Sequence, residues 1–281
     1  MARLCAAALL SAGCWIAYTQ TQAQLPKLTL SKVKEDLYMI EGDGGNVAVY
    51  VTSEGVILVD DKFEQDHEAI VAQVKTVTPL PVKYIFSTHH HSDHSGGNAK
   101  FLSTAEIIST ANARANIVSR AQPNVSPDMV PARVTFTEES SVFLGGKEVR
   151  ARYFGRGHTN GDAVIYFPAL GTIHTGDLMA GSTPLIDYGG GGSVVEWVKT
   201  LDGALKLDFD TVIPGHGAVN TKAGLLTYRD NVDKLRTRVA GLIREGKSQD
   251  DVGKVLTAEF GWAPNSMYMQ WSLPGMMTEL K

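Results

Sequence analysis

The stretch Thr88-His89-His90-His91-Ser92-Asp93-His94-Ser95-Gly96-Gly97 places four histidines and an aspartate within six positions. Side chains of this kind are costly to bury unless each finds a partner, so packing alone does not explain the cluster. Imidazole is a ligand for zinc, iron, copper and nickel, and carboxylate adds a harder oxygen. The segment therefore reads as half of a transition-metal site, and the fold must deliver the other half to it. Residues 82–87 before it form a strand-like run, so continued alternation would put His89 and His91 on one side. The chain must then turn to bring Asp93 and His94 to a second centre, and Gly96 and Gly97 permit that bend into a short helix.

Histidine is scarce elsewhere: only His67, His158, His174 and His216 lie outside the cluster. Two of these sit in glycine-bounded turns after apolar runs, Gly155-Arg156-Gly157-His158 after 149–154 and Pro214-Gly215-His216-Gly217 after 211–213. A third turn, Thr175-Gly176-Asp177-Leu178, offers a carboxylate instead. Strand, glycine, ligand thus recurs three times, which is how a rigid sheet presents ligands at one edge. By alternation His90 points away from its neighbours and is expected to be structural. His174 is expected to be buried and hydrogen-bonded, and His67, beside Asp66 and Glu68, to be exposed on a helix.

His89-x-His91-x-Asp93-His94, followed by His158, Asp177 and His216, resembles the signature of the metallo-β-lactamase superfamily, over nearly the whole chain from about Val33. The resemblance implies a four-layer αββα sandwich of α/β class with two metals, zinc above all and otherwise iron or manganese, at one edge. It further implies that His89, His91 and His158 hold one ion, that Asp93, His94 and His216 hold the other, and that Asp177 bridges them. A closed structural zinc, by contrast, would need only four ligands and leave no open position.

The resemblance also implies a chemistry. Two divalent ions ~3.5–4 Å apart share a water whose pKa falls toward ~7, giving a hydroxide that attacks a carbonyl or phosphorus centre. Asp93 would orient that nucleophile. Members with Cys at the second zinc are not matched, because the only cysteines, Cys5 and Cys14, lie in the first residues of the chain. Glyoxalase II carries Gly-His-Glu-Tyr at its last histidine, where this chain has Gly215-His216-Gly217-Ala218, so glutathione thioesters are disfavoured. A small ester, lactone or amide is the expected substrate, β-lactams among them. Two other classes fit the motifs: a persulfide dioxygenase-like oxidoreductase holding one Fe(II) through His89, His91 and Asp93, and a metal-binding accessory protein of a periplasmic quinoprotein system.

Residues 1–23 read as a secretory signal peptide: Arg3, an apolar run over 4–17, and Thr21-Gln22-Ala23 as the cleavage site. Leu10-Ser11-Ala12-Gly13-Cys14 also loosely resembles a lipoprotein box, which would anchor the chain at Cys14. Export to the periplasm is expected, and no later stretch has the roughly 18 apolar residues of a membrane span. Residues 24–281 are expected to form one hydrolase domain. A formal net charge of −4 without a basic tract argues against a nucleic-acid partner and for a small molecule; oligomeric state is not legible.

Strands are expected over 28–33, 37–40, 47–51, 56–59, 82–87, 142–144, 149–154, 163–167, 172–175 and 211–213. Helices are expected over 69–77, 111–121 (Ile117 and Val118 inward), 193–205 and 222–244, with 123–133 irregular. The segment Pro184-Leu185-Ile186-Asp187-Tyr188-Gly189-Gly190-Gly191-Gly192 offers either a backbone cradle for an anion or a plain connection, with Ser193 capping the next helix. Tyr188 is the candidate substrate contact there.

Overall fold

The computed structural model describes residues 27–119 and 125–281; the expected signal peptide and lipoprotein cysteine lie outside them. Seven strands form the first sheet in sequential order: β1 (Thr29–Lys34), β2 (Leu37–Glu41), β3 (Val47–Val51), β4 (Val56–Val59), β5 (Val82–Phe86), β6 (Glu106–Thr110) and β7 (Val134–Phe136). Its first four strands are antiparallel, and β4 to β7 run parallel. The second sheet has the order β13-β12-β11-β10-β9-β8, from β8 (Glu139–Leu144), β9 (Lys147–Tyr153), β10 (Ala163–Phe167), β11 (Thr172–His174), β12 (Thr211–Ile213) and β13 (Asn220–Thr221).

Both faces of each sheet are buried, which explains why the central strands are continuous apolar runs. In β4, Ile57 and Val59 join the layer between the sheets, while Val56 and Leu58 pack outward. Helix α1 (His67–Lys75) covers that outer face with Ile70 and Val74. In β10, Ala163, Ile165 and Phe167 point to the inter-sheet layer, and Val164 and Tyr166 to the other side. There α5 (Val194–Ala204), the long α6 (Lys222–Arg244) and α7 (Gln249–Phe260) bury Trp197, Leu225, Val232 and Leu256. The result is the αββα sandwich. Each fully buried aliphatic chain contributes roughly 1.5–3 kcal/mol, so the inter-sheet layer is what holds the two halves face to face.

Strand direction places the site. Strands β9 and β10 are antiparallel, as are β10 and β11, while β11 and β12 are parallel. Strands β9, β11 and β12 therefore run the same way and end at one edge, where the turns carrying His158, Asp177 and His216 emerge. In the first sheet the parallel β4 and β5 end at Asp60 and at the histidine cluster. Ligands gathering outside the carboxyl ends of parallel strands is the general rule for such sheets.

Two local expectations are corrected. Val118 is 57% exposed on α4 (Ala111–Ser119), whose inward face carries Ala113 and Ile117 instead. His67 is half-buried, its ring 4.4 Å from that of Phe101, because α1 begins against the short helix α3 (Asn98–Phe101) that follows Gly96 and Gly97. His174 is buried as expected: its Nε2–H donates to Asn46 O at 3.1 Å and its Nδ1 accepts from Gly176 N.

Candidate metal centre

The cluster after β5 turns sooner than strand alternation implies. His91 is the N-cap of a one-turn helix, α2 (Ser92–Ser95), which swings Asp93 and His94 across the strand ends. Asp177 sits on a 3-10 turn, Gly176–Leu178. All seven sequence-predicted residues converge. The ligating atoms of His89, His91, His158 and Asp177 form one compact group, and those of Asp93, His94 and His216 a second. The acid grouped with His89 and His91 is thus Asp177, while Asp93 stands with His94 and His216. Asp177 links the two: Oδ1 lies 3.2 Å from His94 Nε2 and 3.5 Å from His216 Nε2, and Oδ2 is 3.7 Å from His158 Nε2. His90, with His91 and Asp187, makes a further close group beside the first.

The tautomers follow from the outer partners. His158 Nδ1–H donates to Leu185 O at 2.6 Å, and His91 Nε2–H to Asp187 Oδ2 at 2.9 Å. His94 Nδ1–H donates to Asp60 Oδ2 at 2.7 Å. Thr88 gives its own hydroxyl proton to Asp60, so it accepts from His89 Nδ1 at 3.0 Å. Each of these four rings is left with one bare nitrogen aimed inward. Anchoring the far nitrogen to a carboxylate or carbonyl is how metal-ligating histidines are held.

The inward nitrogens then face one another. His91 Nδ1 and His158 Nε2 are 3.0 Å apart, and His94 Nε2 and His216 Nε2 are 3.2 Å apart. Lone pairs at such distances repel unless positive charge lies between them. The buried His89 Nε2 and Asp177 Oδ1 have no hydrogen bond either, a debt that a cation would cancel. The donor set of imidazoles and carboxylates fits divalent transition metals.

Electrostatics say the same. Burial pushes His89 well below its ordinary pKa and His158 down to about 4, so both are neutral. Burial also opposes charge on His94, yet Asp177, Asp93 and Asp60 pull it well above the usual imidazole range. Against the same burial, the neighbouring Asp177 and Asp93 carboxylates lift His216 to about 9. The two acids demand a cation, and protons on these rings are the substitute the protein itself can offer.

Small residues make the approach possible. A Cβ on Gly45 would stand 2.2 Å from a ring carbon of His94, and one on Gly215 would stand 2.0 Å from Asp177 Oδ1. Gly45 belongs to the loop after β2 whose Asn46 side chain donates to Pro214 O and Gly217 O, tying it to the turn that carries His216. Asp60 has a left-handed φ of 63° and Lys62 one of 59°, backbone strain of the kind found beside functional sites.

The glycine-rich segment after Asp187 is no anion cradle. The N–H groups of Gly190, Gly191 and Gly192 are spent on Asp187 Oδ1, Tyr188 O and Asp187 O. Ser193 does cap α5, accepting from Glu196 N at 3.0 Å. Tyr188 is turned from the cavity, its hydroxyl donating to Glu279 Oε2 at 2.7 Å on α8 (Leu273–Glu279), so the fold does not offer the substrate contact expected of it.

Above the two groups opens a cavity of about 500 Å³, floored by His91, Asp93, Asp177 and His216. Its walls were not foreseen: Phe63 and Leu185 on one side, and Met267, Tyr268 and Trp271 from the C-terminal helical segment on the other.

The sequence profile described as the metallo-beta-lactamase superfamily matches residues 40–216, more than half of the chain and the span holding all seven of these candidate residues. This chain belongs to the metallo-beta-lactamase superfamily. Similar chains include metallo-beta-lactamase IND-1 of Chryseobacterium indologenes, 27% identical over 61% of this chain and 71% of that protein. A hydroxyacylglutathione hydrolase of Crocosphaera subtropica is 27% identical over 68% of this chain and 72% of its own length. The 2,4-dinitroanisole O-demethylase alpha subunit of a Nocardioides species is 31% identical, over 48% of this chain and 40% of its own length. Among solved structures, a metallo-beta-lactamase from Pontibacter korlensis superimposes with TM-score 0.66 at 18% identity, covering 74% of this chain and 99% of that one, which supports the fold. The superfamily chain is a metal-dependent hydrolase, and among its described residues no helix is long and apolar enough to cross a membrane.

Proposed function

We propose that this protein is an exported, dinuclear zinc hydrolase acting on a small ester, lactone or amide. His89, His91 and His158 hold one ion, Asp93, His94 and His216 the other, and Asp177 serves both. The observation that carries the reading is the facing of His91 Nδ1 and His158 Nε2 at 3.0 Å with both outer nitrogens already donating. When bound, the ions supply a lowered water pKa and a Lewis acid for the substrate oxygen.

The protein's residues do the positioning. Asp93 Oδ2 is 3.2 Å from His216 Nε2 and faces the cavity floor, so it can fix the second ligand group and accept a proton from the attacking side. Asp187 and Leu185 O lock His91 and His158 in the tautomers that ligation needs. Similar chains include a metallo-beta-lactamase, a hydroxyacylglutathione hydrolase and a 2,4-dinitroanisole O-demethylase subunit, so membership of the family leaves the bond open.

The test is to purify the mature protein, count its metals, and assay a β-lactam, a lactone, an ester, a thioester and a phosphodiester. About two zinc-like ions per chain are expected, with turnover of a carbonyl substrate that chelation abolishes and zinc restores. Turnover indifferent to chelation would sink the proposal, as would one iron per chain with oxygen consumption.

A further inference from the structure

We propose that the cavity selects a neutral substrate bearing a flat apolar group, such as an aryl ester or lactone, and that Trp271 and Met267 make the selection. This rests on the hydrolase reading and names its substrate class.

Among the described residues, no lysine or arginine lines the cavity. Three cations of the surrounding segments are committed elsewhere. Lys62 Nζ donates to Asp43 O and Gly45 O, Lys100 pairs with Glu64 at 2.9 Å, and Arg156 pairs with Glu196 at 2.6 Å. Away from the floor, where the proposed ions would lie, a substrate carboxylate along these walls would shed water and meet no lysine or arginine, which is costly in a half-enclosed site.

The walls offer apolar area instead. The Trp271 ring stands 6.5 Å from that of His91, so it flanks the reacting floor directly. Met267 is 53% exposed at the mouth, next to Tyr268, which makes a continuous apolar rim rather than a stray surface residue. A polarizable thioether beside an indole suits an aromatic guest.

The wall is also tied to the floor. Residues Tyr268–Ser272 form a single π turn, a distortion concentrated at functional sites. Pro274, which lacks an N–H to return to the preceding turn, stands two residues after it, in the first turn of α8. Ser272 Oγ accepts from Ile186 N at 2.9 Å and donates to Ile186 O at 3.2 Å. Ile186 adjoins Asp187, the carboxylate that orients His91, so the aromatic wall and the metal ligand share one support.

Two matched pairs test this on the metal-loaded protein: the esters 4-nitrophenyl butyrate and mono-4-nitrophenyl succinate, and the far less reactive anilides butyranilide and succinanilic acid. By calorimetry, butyranilide should bind about tenfold tighter than succinanilic acid, with the ester kcat/KM values in the same order. Trp271→Ala should weaken butyranilide about tenfold with metal content unchanged, and Met267→Lys should narrow the gap to about threefold or less. Equal or tighter binding of succinanilic acid, no binding of either anilide, or an unaltered Trp271→Ala variant would overturn the proposal. If the anilides behave as expected and no carbonyl compound turns over, the hydrolase reading fails while the selectivity stands.

Discussion

Asp60 Oδ2 lies 2.7 Å from His94 Nδ1 and 2.8 Å from Thr88 Oγ1, which in turn accepts from His89. One buried carboxylate thus orients a ring in each of the two proposed ligand groups. Asp60→Asn keeps the shape and tolerates the left-handed backbone, since asparagine visits that region readily. It should nevertheless lower affinity for both ions about 10–100-fold, the usual effect of removing an outer partner. Chelator competition measures this. Thr88→Val should weaken only the group containing His89, and equal loss at both sites in that variant would contradict the chain of bonds.

Asp177 spans the groups, Oδ1 toward His94 and His216, Oδ2 toward His158. Asp177→Ala should therefore lose one ion of two and about a hundredfold or more of the activity. Metal analysis beside the rate is decisive: full occupancy with lost activity would deny the shared ligand. The wild-type protein should also be stabilised by its ions, by roughly 4 kcal/mol for each site at which free metal is about a thousandfold above Kd. Chelation should lower Tm accordingly.

Lys62 gives a pH signature of its own, outside the seven converging residues. Burial lowers its pKa to about 8, only partly offset by Asp66, Asp43, Asp93 and Asp60. The unfolded chain holds that proton up to about 10.4, so between the two values the folded state binds fewer protons. Stability should rise with pH across that window, and below about pH 8 the burial penalty is fully present. Lys62→Met should erase the slope and cost roughly 1–3 kcal/mol, because Asp43 O and Gly45 O lose their donor. Urea midpoints at pH 7.5 and 10 for both proteins check this; a slope surviving in the variant would assign it elsewhere.

Much of the fold was legible because the central strands are apolar on both faces and their turns carry glycine. The seven converging residues were legible because their types are rare and each group follows a strand. Their outer partners were not. Asp60 follows β4 as directly as His89 follows β5, and that strand-then-acid pattern was the available signal. Asp187, Gly45 and Asn46 act through long-range contacts that no local spacing encodes. Nor does sequence show that a π turn before Pro274 brings Met267 and Trp271 over the floor. Val118 failed for a related reason: a short helix with weak amphipathicity leaves its buried face to the neighbours that dock on it.

Tyr188 separates position along the chain from position in space. It follows Asp187, yet its hydroxyl serves Glu279, which also accepts from Val194 N at 3.0 Å and so joins α8 to the start of α5. Burial and the Glu279 carboxylate both push the phenol above its ordinary pKa, so it stays a donor in a structural bond. Tyr188→Phe removes that donor and leaves the ring packed on Gly275. It should cost ~1–2 kcal/mol, the lower part of the range for a bond to a charged group in a half-buried place. Values of kcat and KM should stay within about twofold. Chemical denaturation beside steady-state kinetics tells the roles apart: a KM raised severalfold at unchanged stability would return Tyr188 to the substrate, while lost stability at unchanged KM fixes it as the clasp between α5 and α8.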